Sequence, residues 1–228
     1  MKKYEITNET HPRNPKLKRI RALKDFSNIK EGDLGGYIQF EKNLSQKGDC
    51  WVSEDAQVSE NAKVSEDAKV SGNAEVNGKA WVNGSAKVYG NAWVSGNAEV
   101  YGNAWVSGSA EVYENAVVSG SAVVSGCAVV SGNAWVSGNA WISGNAWVSG
   151  NAEVSENAKV SGCAVVSGLK SPPISEEGAR GMGILSDAEL EESKSTPEIL
   201  DTLPEDVTSI IINGVTYTKK TSWVAEEK

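Results

Sequence analysis

The residue types that most often act in catalysis are scarce in this chain. His11 is its single histidine, and its cysteines, Cys50, Cys127 and Cys163, have no Cys-x-x-Cys spacing. Acyl transfer needs a base beside the attacking group, and a cysteine nucleophile needs a base that activates its thiol. His11 lies in a proline-containing segment far from the other candidates, where we expect it to be solvated. We therefore predict no catalytic residue, no disulfide framework, no metal site and no cofactor.

Carboxylates are more regular, but their setting favours solubility over acid-base chemistry. Five glutamates precede Asn or Asp in the repeating unit described below: Glu54, Glu60, Glu66, Glu114 and Glu156. At surface corners we expect these side chains to stay hydrated. Cys127 and Cys163 both replace the corner Asn, and the coil length implied by the resemblance named below would place them two coils apart. We interpret them as small turn residues beyond disulfide reach of each other.

The elements that position these residues follow from a six-residue period. Alanine recurs at 19 positions from Ala56 to Ala164, and valine recurs from Val52 to Val166 with Ile142 as the one substitution. This period excludes an amphipathic helix, whose apolar stripe recurs every 3.6 residues. It predicts short strands with valine pointing inward, alanine filling the space inside each corner, and Gly-Asn forming the corner. The position after alanine is variable and points outward.

The unit V-S-G-N-A-x resembles the hexapeptide-repeat family. The resemblance implies a single-stranded left-handed parallel β-helix, in which three hexapeptides form one triangular coil. Residues 51–168 would then form about six and a half coils in an all-β prism roughly 30 Å long. The leader, with the segments RIRALKDF, GDLGGY and NLSQKGDCWV, resembles that of YdcK-like hexapeptide-repeat proteins of bacteria and phages, which mostly lack an assigned activity.

The predicted organisation has four parts. Residues 1–50 form an N-terminal β cap with strands near 4–7, 17–23 and 36–40, and residues 51–168 form the β-helix. Residues 169–204, rich in Ser, Pro and Glu, form a flexible linker with a helical turn or two at 187–193. Residues 205–228 form a β-hairpin around Asn213-Gly214, which we expect to serve in oligomerisation or to dock on the β-helix.

The coil period of three hexapeptides sorts the variable residues onto three faces. The first face has Gln57, Glu75, Trp93, Glu111, Val129, Trp147 and Val165. The second face has Lys63, Trp81, Glu99, Val117, Trp135 and Glu153. The third face has Trp51, Lys69, Lys87, Trp105, Val123, Trp141 and Lys159, with Tyr89 beside Lys87.

Two groups of outward residues are candidate binding sites. The strip is the third-face set Trp51, Lys69, Lys87, Tyr89, Trp105, Trp141 and Lys159, which could stack on a ring and pair with its anionic group, or receive an acidic protein. The belt consists of Val117, Val123, Val129, Trp135, Trp141 and Trp147, two successive coils of outward apolar residues. Contiguous apolar surface and tryptophan are typical of interaction sites. Duplication of one unit without selection on its surface would also produce both patterns.

The first functional hypothesis is a non-enzymatic scaffold that self-associates and binds a protein partner through these faces, with a trimer favoured by the resemblance. The alternatives are a phage-type sequestering protein, an anti-defence sponge holding an anionic nucleotide-like ligand between subunits, and an acyltransferase relative. The acyltransferase is disfavoured because the repeats lack histidine and an inserted loop. A net charge of -8 argues against general nucleic-acid binding, and the absence of a long apolar run predicts a cytoplasmic protein, in the host if phage-encoded.

Overall fold

The structure is a computed structural model that describes residues 2–168 and, as backbone, three strands nearer the C-terminus. Residues 51–168 form a parallel β-solenoid of about seven turns, which confirms the predicted all-β fold. Antiparallel strands precede it, and the one helical element of the described chain is a 3-10 turn at Glu41–Asn43. Among the described residues, no helix has the length and apolar character to cross a membrane.

Three sheets run along the solenoid, one for each face. The first-face sheet contains Tyr4–His11, Asn14–Ala22, Leu34–Ile38, Gln57–Val58, Glu75–Val76, Trp93–Val94, Glu111–Val112, Val129–Val130, Trp147–Gly150 and Val165–Gly168. The second-face sheet contains Lys63–Val64, Trp81–Val82, Glu99–Val100, Val117–Val118, Trp135–Val136 and Glu153–Val154. The third-face sheet contains Trp51–Val52, Lys69–Val70, Lys87–Val88, Trp105–Val106, Val123–Val124, Trp141–Ile142 and Lys159–Val160.

Residues that pair between neighbouring coils are separated by three hexapeptides in the sequence, as Lys87 and Trp105 are. The repeated valines and alanines are almost completely buried through most of the solenoid. Backbone hydrogen bonds join each coil to the next, for example from Trp105 N to the carbonyl oxygen of Ala122 at 2.9 Å. The stability of the solenoid is therefore approximately the sum of the contributions of the coils and of the contacts between neighbouring coils. The outward residues are held in place by these regularly paired strands.

The corners have a left-handed backbone, and glutamate accepts this conformation at five of them. Glu114 has a φ of 62°, and its Oε2 accepts a hydrogen bond from Gly132 N at 2.6 Å, one coil further on. Three other corner glutamates form the same bond: Glu54 with Gly72, Glu60 with Gly78 and Glu66 with Gly84. These carboxylates are exposed as expected, and each of these four also accepts a hydrogen bond from a backbone N–H of the next coil.

The N-terminal strands cover the first coil. Tyr4–His11 and Asn14–Ala22 pair antiparallel, Leu34–Ile38 joins them, and this third strand then pairs parallel with Gln57–Val58. The cap thus continues the first-face sheet, with strands that differ by a few residues from the predicted ranges. Its interior also contains Lys3, whose Nζ donates to the carbonyl oxygens of Gly48 and Cys50 at 3.1 and 2.9 Å.

The C-terminal strands form a separate antiparallel sheet. Ser209–Ile212 pairs with Val215–Lys219, in agreement with the predicted hairpin. A third strand, Trp223–Glu226, pairs with the second and was not predicted. The predicted linker at 169–204, with its helical turn at 187–193, lies outside the described residues.

Candidate binding surfaces

The belt forms as the sequence arrangement predicts. Trp135 lies in register beside Val117, and the remaining pairs are Val123 with Trp141 and Val129 with Trp147. The three indoles are 48–51% exposed, one on each face at the same level of the solenoid. The three valines beside them are only partly buried. This level therefore presents large apolar groups to solvent on every side.

A hydrogen bond fixes the direction of each belt indole. Trp135 Nε1 donates to Ser119 Oγ at 3.3 Å, and the same bond joins Trp141 to Ser125 and Trp147 to Ser131. Each serine lies on the preceding coil, just after the strand that contains the belt valine. The indole therefore extends back toward that coil with its N–H satisfied, so that a partner meets the apolar ring without having to supply a hydrogen-bond acceptor.

The strip is only partly assembled. Lys87 Nζ lies 4.7 Å from the centre of the Trp105 ring, and the Tyr89 ring stands edge-on to the same indole at 6.4 Å. Lys69 Nζ instead donates to the carbonyl oxygen of Asp49 at 2.9 Å. Lys159 lies in register beside Trp141, so the strip meets the belt at this belt residue.

Trp51 does not belong to this exposed surface. It is 3% exposed, and its ring packs edge-on against Phe26 at 5.3 Å and Tyr4 at 6.4 Å. The N-terminal cap lies over this first position of the third face. The prediction that Trp51 contacts a ligand or partner is therefore wrong, because sorting by position in the coil assumed that every variable residue faces solvent.

Another basic and aromatic group lies on the second face and was missed by the sequence analysis. An open hollow of about 490 Å³ is lined by Lys42, Asn61, Lys63, Lys79 and Trp81. Trp81 is exposed, and Lys42 Nζ donates to Asn61 Oδ1 at 2.7 Å. The residues come from the cap, two corners and two outward positions. No single column of the repeat contains them, so a search along the columns does not reveal the hollow.

The potentially reactive side chains are dispersed. His11 is not freely solvated as expected, since its ring packs edge-on against Tyr37 at 4.8 Å. Cys50 is buried with its Sγ 3.2 Å from Lys3 Nζ, and burial raises the pKa of this thiol. Cys127 and Cys163 are exposed at their corners. Within the described part of the chain, no group of three or more His, Cys, Asp or Glu side chains is arranged to hold a metal ion.

Comparison with known proteins gives a limited relationship. No family model matches the chain. A segment is 29% identical over 68 residues to a protein named "Uncharacterized acetyltransferase YdcK" from Escherichia coli (strain K12). The match includes 26% of this chain and 21% of the length of that relative. Together with the solenoid, it fits a hexapeptide-repeat protein.

Proposed function

We propose that this protein is a non-enzymatic scaffold that self-associates and binds a protein partner through the belt. The observation that supports this most directly is the set of Trp135, Trp141 and Trp147, each about half exposed and each held by a serine of the preceding coil. Large exposed apolar surface is unfavourable in water unless a partner covers it. Ordered indoles lose little conformational freedom on binding, which is one reason why tryptophan is common at interface hot spots.

The belt is well suited to binding more than one neighbour. Its indoles point from three different faces, and the interior of the solenoid is filled by valine and alanine. A ligand site inside the coils is therefore excluded along 52–154, and recognition must use the outer surface. A homotrimer, which the resemblance favours, would use two of the three faces of each copy and leave a third for another partner.

The test compares two triple variants. The first changes Trp135, Trp141 and Trp147 to Ser, and its matched control changes Trp81, Trp93 and Trp105 to Ser. The control residues also lie one on each face and are 40–44% exposed. Native mass spectrometry of protein isolated from its own host measures the oligomer mass and any bound protein. We expect the belt variant to lose both and the control to retain them; an unchanged mass and an unchanged partner in a folded belt variant would exclude this function.

A second candidate function is sequestration of an anionic, aromatic small molecule such as a nucleotide, as in an anti-defence sponge. Two arrangements favour it: the Lys87 ammonium over the Trp105 ring, and the hollow with three lysines around Trp81. Lysine pairs with phosphate and indole stacks on a base. Titration of a nucleotide panel with tryptophan fluorescence tests it, and we expect Lys63→Gln with Lys79→Gln to abolish the response at the hollow. If no member of the panel changes the fluorescence of the native protein, this candidate fails.

Acyl transfer, the activity in the name of the YdcK relative, is the least supported candidate. The coils contain no histidine, and His11 is placed against Tyr37 in the cap. A general base must lie within hydrogen-bond reach of the attacking group, directly or through one water. We expect no binding of acetyl-coenzyme A by calorimetry. Acetyl transfer that is lost in His11→Ala would overturn this expectation.

A further inference from the structure

The two ends of the solenoid differ in how well their cores are covered. At the N-terminal end, cap residues such as Tyr4 and Ile20 are completely buried. At the C-terminal end, Val160 and Val166 are partly exposed, whereas Ile142 and Val148, their counterparts one coil earlier, are completely buried. Within residues 2–168, the core is therefore covered least at the last coil.

The same end also exposes sheet edges. Each of the three sheets ends here in a strand that has one strand neighbour among the described strands. These terminal strands are Glu153–Val154, Lys159–Val160 and Val165–Gly168. An uncovered edge of a parallel sheet offers backbone groups that recruit other strands. A solenoid with an open apolar end and three such edges requires a cover to remain soluble.

The C-terminal sheet has the amphipathic character that such a cover needs. In its register Ile210 is opposite Tyr217, and Tyr217 is opposite Ala225. Residues directly opposite one another share a face of a sheet, and the face alternates along each strand. One face therefore has Ile210, Ile212, Val215, Tyr217, Lys219, Trp223 and Ala225, and the other has Ser209, Ile211, Thr216, Thr218, Val224 and Glu226. The first face is mainly apolar, and exposure of such a face to water is unfavourable until another surface covers it.

We propose that the apolar face of the C-terminal sheet docks on the open end of the solenoid and forms its second cap. The sizes agree, since three strands of four or five residues span roughly 15 Å in each direction, close to the roughly 20 Å of one hexapeptide side. The 40 residues between Gly168 and Ser209 are long enough to allow this placement. Attachment in the same chain makes docking an intramolecular step, which favours this sheet over that of a second copy.

Hydrogen exchange measured by mass spectrometry on the full chain tests the docking. The variants Ile210→Ser and Ile211→Ser make the same change at adjacent residues on opposite faces of the sheet. We expect Ile210→Ser to speed amide exchange in 153–168 by about tenfold or more, because the last coil loses its cover. Exchange in 57–100 should remain slow in both variants, since the inner coils do not depend on this cap. Equal exchange in 153–168 for native protein and Ile210→Ser would overturn the proposal.

A cross-linking experiment provides a second readout that does not depend on a destabilising variant. Lys219 is the last residue of its strand, at the margin of the docking face where its amine stays within reach of a reagent, and Lys159 is an exposed residue of the last coil. The experiment uses a mixture of isotopically light and heavy protein and a short lysine-reactive reagent. We expect the reagent to join Lys219 to Lys159 of the same chain, so that no cross-linked product contains one light and one heavy chain. Mixed light and heavy products would show that a second copy covers the end, and cross-links of Lys219 to the cap or first coils would place the sheet elsewhere; either result overturns docking within the chain.

Discussion

The indole Nε1 of Trp135 donates a hydrogen bond to Ser119 Oγ across two neighbouring coils, with the two atoms 3.3 Å apart. Ser119 is almost completely buried, although it occupies a position that faces outward in the repeat. The bond therefore joins a half-exposed indole to a buried serine of the preceding coil. This relationship turns an exposed tryptophan into an ordered part of the surface.

Replacing Ser119 with Ala should release the Trp135 indole without unfolding the solenoid. The bond is one neutral hydrogen bond, so we expect a loss of about 0.5–1.5 kcal/mol in the free energy of unfolding. In NMR spectra, one of the eight indole N–H signals should exchange faster with water. Ser137→Ala is the control, because the matching outward residue on the coil after it is Glu153 and not tryptophan. Unchanged exchange of all eight signals in Ser119→Ala would show that the bond does not hold the ring.

Trp51 and Trp105 should differ greatly in their contribution to stability, although both lie in one column of the third face. Trp51 is 3% exposed beneath the cap and Trp105 is 41% exposed. Trp51→Ala should cost about 3–5 kcal/mol, the usual cost of emptying a buried aromatic site. Trp105→Ala should cost about 0.5–1 kcal/mol, chiefly from the lost contact with Lys87. Urea unfolding measures both, and similar losses would contradict the buried position of Trp51.

Alanine substitutions at two glycine corners distinguish the energetic cost of the left-handed backbone from the cost of crowding between coils. Gly126 and Gly162 have φ values of 69° and 67°, so alanine at either position incurs the left-handed penalty of about 1–2 kcal/mol. A Cβ on Gly126 would lie 2.8 Å from the carbonyl oxygen of Gly144, whereas a Cβ on Gly162 meets nothing within 4 Å. We expect Gly126→Ala to be clearly the less stable in chemical denaturation. Equal losses in the free energy of unfolding would mean that the coils at Gly126 and Gly144 can move apart without an energetic cost.

The stability of the cap should decrease at alkaline pH through Tyr4. Burial raises the pKa of this phenol above its ordinary value near 10, and its hydroxyl donates to the carbonyl oxygen of Leu44 at 2.7 Å. As the pH rises above about 10, the unfolded chain loses the phenol proton first, so it binds fewer protons than the folded chain and stability falls. Tyr4→Phe should lessen this fall in urea midpoints measured across that range, and Tyr101→Phe serves as the control. If the urea midpoint falls with pH equally in native protein and in Tyr4→Phe, ionisation of Tyr4 does not account for the loss of stability.

The repeat made most of the fold predictable. Its constant six-residue period predicted the strands, their inward valines and the register of three hexapeptides that brings Trp135 beside Val117. The pairing of Ser209–Ile212 with Val215–Lys219 was also predictable, since an Asn-Gly dipeptide separates these two β-rich runs in the sequence. The site was only partly predictable: the belt indoles and the group of Lys87, Tyr89 and Trp105 are placed as expected. The bonds from indole to serine and from glutamate to backbone recur at a constant spacing, but the spacing became meaningful only once the structure showed the side-chain directions.

The solenoid follows from the order of residues alone, because a period of six with inward valine and alanine leaves few ways to bury the apolar positions while satisfying the backbone. Which outward positions are exposed depends instead on tertiary packing. The cap folds back over the first coil and buries Trp51, and it brings Lys42 next to Lys63, Lys79 and Trp81. These arrangements depend on how the N-terminal cap, which has no repeat, packs across the end of the solenoid. Contacts between residues so far apart in the sequence cannot be read from a six-residue period.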